Sequence, residues 1–183
     1  LKVISRVGIG LDSIDFGAAH DNDVKITYTP DAPSQAVAEL TVAQIINLNR
    51  YIMSSDRSIR SHAWNRMIGW LICERKIGLL GLGRIAKKVA QLLKPFGCQI
   101  LVSDPNPDLA FIQEYGLTLV DSDELFRTSD VLSVHIPLNS ANHKFICRDR
   151  IAMMKTGAFF INTSRGPVVD EAAITDALLQ GHI

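Results

Sequence analysis

Lys76-Ile77-Gly78-Leu79-Leu80-Gly81-Leu82-Gly83-Arg84-Ile85-Ala86 decides how the rest of this chain is read. Ile77 to Leu80 is a short apolar run of the kind that forms a strand buried on both faces. It leads directly into Gly81-Leu82-Gly83 and then into a helical pattern. Ile85, Val89, Leu92, Leu93 and Phe96 recur at helical spacing, with Lys87, Lys88, Gln91 and Lys94 on the opposite face. Pro95 and Gly97 close that helix, Gln99 to Val102 reads as a second strand, and Asp104 follows it.

Each of these residues has a physical task in a dinucleotide site. Gly81 permits a tight turn out of the strand. Gly83, without a Cβ, lets the backbone approach a pyrophosphate. Ala86 is small enough to pack helix on strand. The unpaired N–H groups and the positive dipole end of the helix then attract the anion. Asp104 falls about 20 residues on, where a carboxylate accepts hydrogen bonds from the adenosine ribose and repels a 2′-phosphate, so NAD is expected over NADP. A glycine pair alone would be weak evidence. Strand, turn, helix, strand and acid in sequence describe a nucleotide-binding βαβ unit.

At 183 residues the chain can bury one good core and part of a second domain. Its apolar fraction of 47% and charged fraction of 21% are ordinary for a globular protein. Nineteen basic and nineteen acidic residues cancel, leaving no electrostatic footprint for nucleic acid or an anionic membrane. Cys73, Cys98 and Cys147 lie far apart without metal-ligand spacing, so no metal is expected. They read as reduced, buried thiols of a cytoplasmic protein. The ends read as those of a piece of a longer chain. Leu1 starts within an apparent strand, and Gly181-His182-Ile183 stops where a further strand is expected.

Residues 1–32 read as a strand from Leu1 to Ser5, a turn at Gly8-Ile9-Gly10, a short helix capped near Asp12 or Ser13, and a strand from Val24 to Tyr28. Thr29-Pro30-Asp31-Ala32-Pro33 is a rigid connector and the expected boundary, with 33–183 as the second domain. Ser34 is placed to cap a long helix that reaches Arg60, about 40 Å at 1.5 Å per residue. Such a helix is either a core helix with a solvated end or one lying between domains or subunits. His62 to Arg75 reads as a loop. Further helices are expected at 111–115, at 123–127 after a Ser122 cap, at 148–154 closed by Gly157, and after Asp170. Strands are expected at 117–120, 131–135 and 158–161. The alternation implies an α/β fold, a doubly wound parallel sheet of Rossmann type, with its ligand at the carboxyl ends of the strands.

Two strand ends beyond the first unit carry polar groups. Val134-His135-Ile136-Pro137 closes one, and Asn162-Thr163-Ser164-Arg165-Gly166 the next. By the switch-point rule both tips face the cofactor crevice. Arg165 offers a planar fork for a carboxylate and would polarise an adjacent carbonyl. His135, at the end of an apolar strand, reads as a hydrogen-bonded structural histidine rather than a proton donor.

The chain resembles the D-isomer-specific 2-hydroxyacid dehydrogenases. The matching stretches are Ser5-Arg6-Val7-Gly8-Ile9-Gly10, Val37-Ala38-Glu39-Leu40-Thr41, Gly81 to Ile85, Asp104-Pro105, His135 to Leu138, Met153 to Gly157 and Ile161 to Gly166, followed by Val169-Asp170-Glu171. The resemblance implies hydride transfer between NAD and C2 of a small D-2-hydroxy acid or 2-oxo acid, in a homodimer. It implies that Arg84 and Ile85 line the pyrophosphate and that Asp104 takes the ribose hydroxyls. His135, Ile136, Pro137 and Asn142 would line the adenosine side, with Thr163, Ser164 and Arg165 under the nicotinamide. Arg165 would be catalytic, and N–H groups around Val7 and Gly8 would complete the grip on substrate from a remnant of the substrate domain. The family's proton-transferring histidine and its glutamate partner would lie beyond Ile183. Two other readings share these motifs: an NAD-sensing co-repressor of the C-terminal-binding-protein type, and a non-catalytic dinucleotide module. A carboxylate fork at Arg165 argues against the last.

Overall fold

The structure is a computed structural model that describes residues 1–183. It opens with β1 (Val3–Arg6), α1 (Phe16–Asp21) and β2 (Lys25–Tyr28), followed by α2 (Ser34–Arg50) and α3 (Ile52–Arg60). An extended connector leads to β3 (Lys76–Leu80), α4 (Arg84–Leu93), β4 (Gln99–Ser103), α5 (Leu109–Tyr115) and β5 (Thr118–Leu119). The chain finishes with α6 (Ser122–Thr128), β6 (Val131–Val134), α7 (Arg148–Met153), β7 (Phe159–Asn162) and α8 (Glu171–Leu179). β1 and β2 pair in parallel as a separate ribbon. The other five strands form one parallel sheet in the order β5-β4-β3-β6-β7. This is the doubly wound α/β sheet expected, and its order reverses between β3 and β6.

Strand residues alternate between two cores because successive side chains point to opposite faces. Ile77, Leu79, Ile100, Val102 and Val131 meet Ala38 and Ile45 of α2 and Ala86, Val89 and Leu93 of α4. Leu80, Leu101, Leu132 and Val134 meet Leu125 and Phe126 of α6, Ile151 of α7 and Ala173 and Ala177 of α8. Each fully buried large apolar side chain contributes roughly 1.5–3 kcal/mol relative to exposure. Gly78 serves the second face, because a Cβ there would collide with Ser129 and hold α6 off the sheet.

Several element ends differ from the sequence reading. α1 is capped by Asp15, whose carboxylate accepts from Ala18 N–H, not by Asp12 or Ser13. α6 is capped by Asp121, not Ser122. Ser34 is the first helical residue of α2 and not its cap, and its hydroxyl lies buried 3.5 Å from Pro30 O. α7 ends at Met153, with Gly157 turning the chain into β7 instead of closing the helix.

The expected 40 Å helix is two helices. α2 has 17 residues, about 26 Å, and stops at Tyr51, which adopts φ 53°, ψ 37°. The Asn47 side chain bridges the break, its Oδ1 accepting from Met53 N–H at 3.0 Å. α2 packs along α4, while α3 exposes Ile52, Met53 and Ile59. No helix is long and apolar enough to cross a membrane. The cysteines are unpaired, but the expectation that all are buried fails: Cys73 is exposed, and Cys98 and Cys147 are half-buried.

Candidate functional site

The glycine turn after β3 is stitched to strands on both sides. Gly81 N–H donates to Ser103 O of β4 at 2.8 Å, and His135 N–H donates to Leu80 O at 2.8 Å. Gly81 adopts φ +94°, and a Cβ there would lie 3.0 Å from His135 O, so both conformation and space require glycine. Gly83 heads α4 with no side-chain cap, and a Cβ on it would project into open space. The first amides of this ten-residue helix therefore face a gap that an anion can enter.

Asp104 closes the other side of the turn. Its Oδ2 accepts from Leu82 N–H at 2.7 Å and its Oδ1 from Asn106 N–H at 2.8 Å. A carboxylate has about four lone-pair sites, so two acceptor positions remain for hydroxyl donors.

A cleft of about 1020 Å³ opens over these groups, lined by Gly81, Gly83, Asp104, His135, Ile136, Pro137 and Asn142 among others. The Asn142 amide donates to Pro137 O at 3.0 Å, which ties the loop after β6 to the cleft wall. An adjoining cavity of about 340 Å³ shares Gly83, His135, Ile136 and Pro137 and extends past Arg84 and Ile85 to Thr163, Ser164 and Arg165. The two adjoin at these four residues, beside the reversal of strand order. Their combined size and the open glycine cradle fit a dinucleotide.

His135 carries no charge at neutral pH. Burial pushes its pKa down from 6.5 to about 4, and its Nε2 lies 2.9 Å from Ser133 Oγ. This is the hydrogen-bonded histidine its sequence position suggested. No three His, Cys, Asp or Glu side chains gather as a metal site.

The tip after β7 is organised by Asn162. Its Oδ1 accepts from Ser164 N–H at 2.9 Å and from Ser164 Oγ–H at 2.8 Å, and its Nδ2 donates to Arg165 O at 2.9 Å. The Arg165 guanidinium donates through Nε to Asp12 Oδ2 at 2.6 Å and through Nη1 to Ser164 O at 2.9 Å. It lies against Gly10, where any Cβ would overlap it. Hydrogen bonding to Arg165 holds the Asp12 carboxyl below its ordinary 3.8.

The remaining sequence candidates are less engaged. Gly8 shares a cavity of about 370 Å³ with Gly10, Asp12 and Arg165, but its N–H already donates to Thr29 Oγ1 at 2.8 Å. Val7 is 84% exposed and lines none of these cavities. Arg84 pairs with Asp31 at 3.2 Å, both side chains mostly solvated, a pair worth little in stability. Sequence reasoning gave no site role to Asp12, Gly10 or Thr29, and named Asn162 only as part of the strand tip. Gly10 had a signal in the Gly8-Ile9-Gly10 turn, and Asp12 was legible only as a helix cap.

The fold and crevice define a dinucleotide-binding domain. Comparison with known proteins narrows this. The family model "D-isomer specific 2-hydroxyacid dehydrogenase, NAD binding domain" matches residues 42–183, and the chain belongs to that family. D-3-phosphoglycerate dehydrogenase of Mycobacterium tuberculosis is 35% identical over 185 residues, covering 100% of this chain and 35% of that protein. Hydroxypyruvate reductase of Thermotoga maritima is 36% identical over 186 residues, covering 100% of this chain and 60% of that one. Among solved structures, the D-lactate dehydrogenase of Aquifex aeolicus complexed with NAD and lactic acid matches 100% of this chain and 56% of that one. Its TM-score is 0.91 at 30% identity. The chain thus spans between about a third and three-fifths of the length of these relatives.

Proposed function

We propose that the protein containing this chain moves a hydride between NAD and C2 of a small D-2-hydroxy acid or 2-oxo acid. The observation that carries this reading is the meeting of the two cavities. A cradle sized for a dinucleotide shares Gly83, His135, Ile136 and Pro137 with the chamber that Arg165 lines. NAD, when bound, supplies or accepts the hydride.

The chain's own residues bind and orient. Amides at the start of α4 take the pyrophosphate, with Arg84 and Ile85 beside it. Asp104 accepts the adenosine ribose hydroxyls and disfavours a 2′-phosphate, and Ile136, Pro137 and Asn142 form the wall of the adenosine side. Thr163 and Ser164 lie under the nicotinamide. Arg165 holds the substrate carboxylate and polarises the neighbouring carbonyl, with Asp12 fixing its Nε edge so that the fork cannot rotate away. Gly8 joins the grip on substrate only if its N–H exchanges Thr29 for the incoming oxygen. Residues 1–32 are the part of the substrate domain that supplies Asp12 and Gly8.

No histidine of these 183 residues is placed to donate the proton. His135 is uncharged and bonded to a serine, with no carboxylate to raise its pKa, and no other histidine borders the crevice. We further propose a homodimer working in the cytoplasm. The exposed Ile52, Met53 and Ile59 of α3, with Trp64 and Ile68 in the connector after it, support the first, and three unpaired cysteines the second.

The test is NADH absorbance with the full-length protein and glyoxylate, pyruvate and hydroxypyruvate. Turnover of at least one is expected. Arg165→Ala should lower kcat/KM by several orders of magnitude, and Asp12→Asn by about ten- to a hundredfold, mostly through KM. Absence of turnover with every 2-oxo acid, in a protein that still binds NAD, would leave a scaffold and not an enzyme.

A further inference from the structure

Thr41 lies in α2 with none of its surface exposed. Its hydroxyl donates to Val37 O, one turn earlier in the helix, at 2.8 Å. Its Oγ1 is also 3.1 Å from the Oγ1 of Thr163, 122 residues away at the tip of β7. A hydroxyl has one proton and two lone pairs. Since the Thr41 proton is committed to Val37, the proton in the second bond belongs to Thr163. The Thr163 hydroxyl therefore points its hydrogen toward α2 and presents only lone pairs to the cavity it lines. Ser164, its neighbour in that cavity, behaves alike, because its proton is held by Asn162 Oδ1 at 2.8 Å.

We infer that Thr41 is a positioning residue which, through Thr163, makes this point of the crevice an obligate hydrogen-bond acceptor and thereby selects a cofactor head carrying N–H donors. A primary carboxamide meets that demand, whereas a ketone or carboxylate does not. The same arrangement sorts the two ligands. A carboxylate is repelled by the acceptor oxygens of Thr163 and Ser164 and drawn to the donors of Arg165, so substrate and cofactor cannot exchange places. The inference rests on the nicotinamide end of NAD lying at Thr163, as proposed above.

The alternative is that the Thr41–Thr163 bond merely staples α2 to the sheet. Direct binding by titration calorimetry on the full-length protein separates the two. Three ligands serve: NAD, 3-acetylpyridine adenine dinucleotide, whose methyl ketone lacks the N–H donors, and ADP-ribose, which lacks the nicotinamide. The unmodified protein should favour NAD over the acetylpyridine analogue. Thr41→Val frees the Thr163 hydroxyl to turn and donate, so this preference should shrink about three- to tenfold while ADP-ribose affinity stays constant. Thr41→Ser keeps the relay and should restore the preference. If Thr41→Val does not fold, Thr163→Val, which leaves α2 intact, must show the same narrowing. An unchanged preference in the valine variants, or an equal loss for all three ligands, overturns the relay and leaves NAD binding standing. A protein that binds none of the three ligands overturns the dinucleotide reading and the relay together.

Discussion

Asp104 shows how closely binding and folding are joined at single residues. Its carboxylate is pinned by two backbone amides, one of them inside the glycine turn, while its free lone pairs face the cleft. Asp104→Ala should therefore weaken NAD binding by about one to two orders of magnitude, from the loss of a charge-assisted hydrogen bond worth ~1.5–3 kcal/mol. Because loosening the turn weakens both dinucleotides, the informative readout is the ratio of NADP to NAD affinity, which should rise. Equal NAD affinity in the variant and the unmodified protein, by calorimetry, would remove Asp104 from the site. Gly10 and Asp12 have the complementary character. Gly10 was readable as a turn, but Asp12 was not readable as functional, because an Asp beside a turn is as good a helix cap as an ion-pair partner. Asp12, Ser13 and Asp15 lie within four positions, and only the three-dimensional path assigns Asp15 to α1 and Asp12 to Arg165.

At the scale of elements, α3 and the connector behind it are the odd members. Trp64 and Ile68 are each 86% exposed, and Trp70, Leu71, Ile52, Met53 and Ile59 add to the same apolar character. Exposed apolar side chains concentrated in one segment are what a self-association surface requires. The full-length protein should run as a dimer in light scattering, and Ile68→Asp with Trp64→Ser should shift it toward monomer without moving its circular dichroism. A strict monomer at high concentration in the unmodified protein would contradict this. The five strands of the main sheet, α4, α5 and α8 were legible because apolar period and punctuation agree there. The glycine turn, Asp104 and the two polar strand tips were legible for the same reason, being fixed by position relative to strand ends. The interruption at Tyr51 was not. No glycine or proline marks it, and the apolar rhythm continues into Ile52. A left-handed tyrosine costs roughly 1–2 kcal/mol, which Asn47 helps to offset by capping α3. Such a contest between a side chain and the helix ladder leaves no trace in periodicity.

For the whole molecule, His135 and several aspartates govern the response to acid. His135 takes its proton at about 4 in the folded chain and at 6.5 when unfolded. The unfolded state therefore binds more protons between those values, and stability falls as pH drops from 6.5 toward 4, by about 3 kcal/mol at most. Asp12, Asp108 and Asp170 are held below 3.8, mainly by hydrogen bonds from Arg165, Lys87 and Ala173 N–H respectively. Their contribution is complete above 3.8 and is lost only below it, as pH falls through their folded values. Denaturant midpoints measured from pH 7.5 to 4 should decline, and His135→Gln should flatten the decline in that interval alone. An unaltered slope in the variant would show that His135 is not the group responsible.

The strand order also sets when the crevice can come into being as the chain folds. β3 and β6 lie side by side in the sheet, yet the hydrogen-bonded Lys76 and Asp130 at their amino ends are 54 residues apart in sequence. Arg165 and Asp12 are separated by 153. Contacts this distant carry a loop-closure cost that local helices do not, so they form late and slowly. The βαβ unit from Lys76 to Ser103 can assemble early from near neighbours, but the wall formed by His135, Ile136, Pro137 and Asn142 does not exist until β6 docks. The anion cradle is thus local and early, whereas the chamber at Arg165 is among the last features to appear. Occupancy of that chamber reports on the folding of the entire chain.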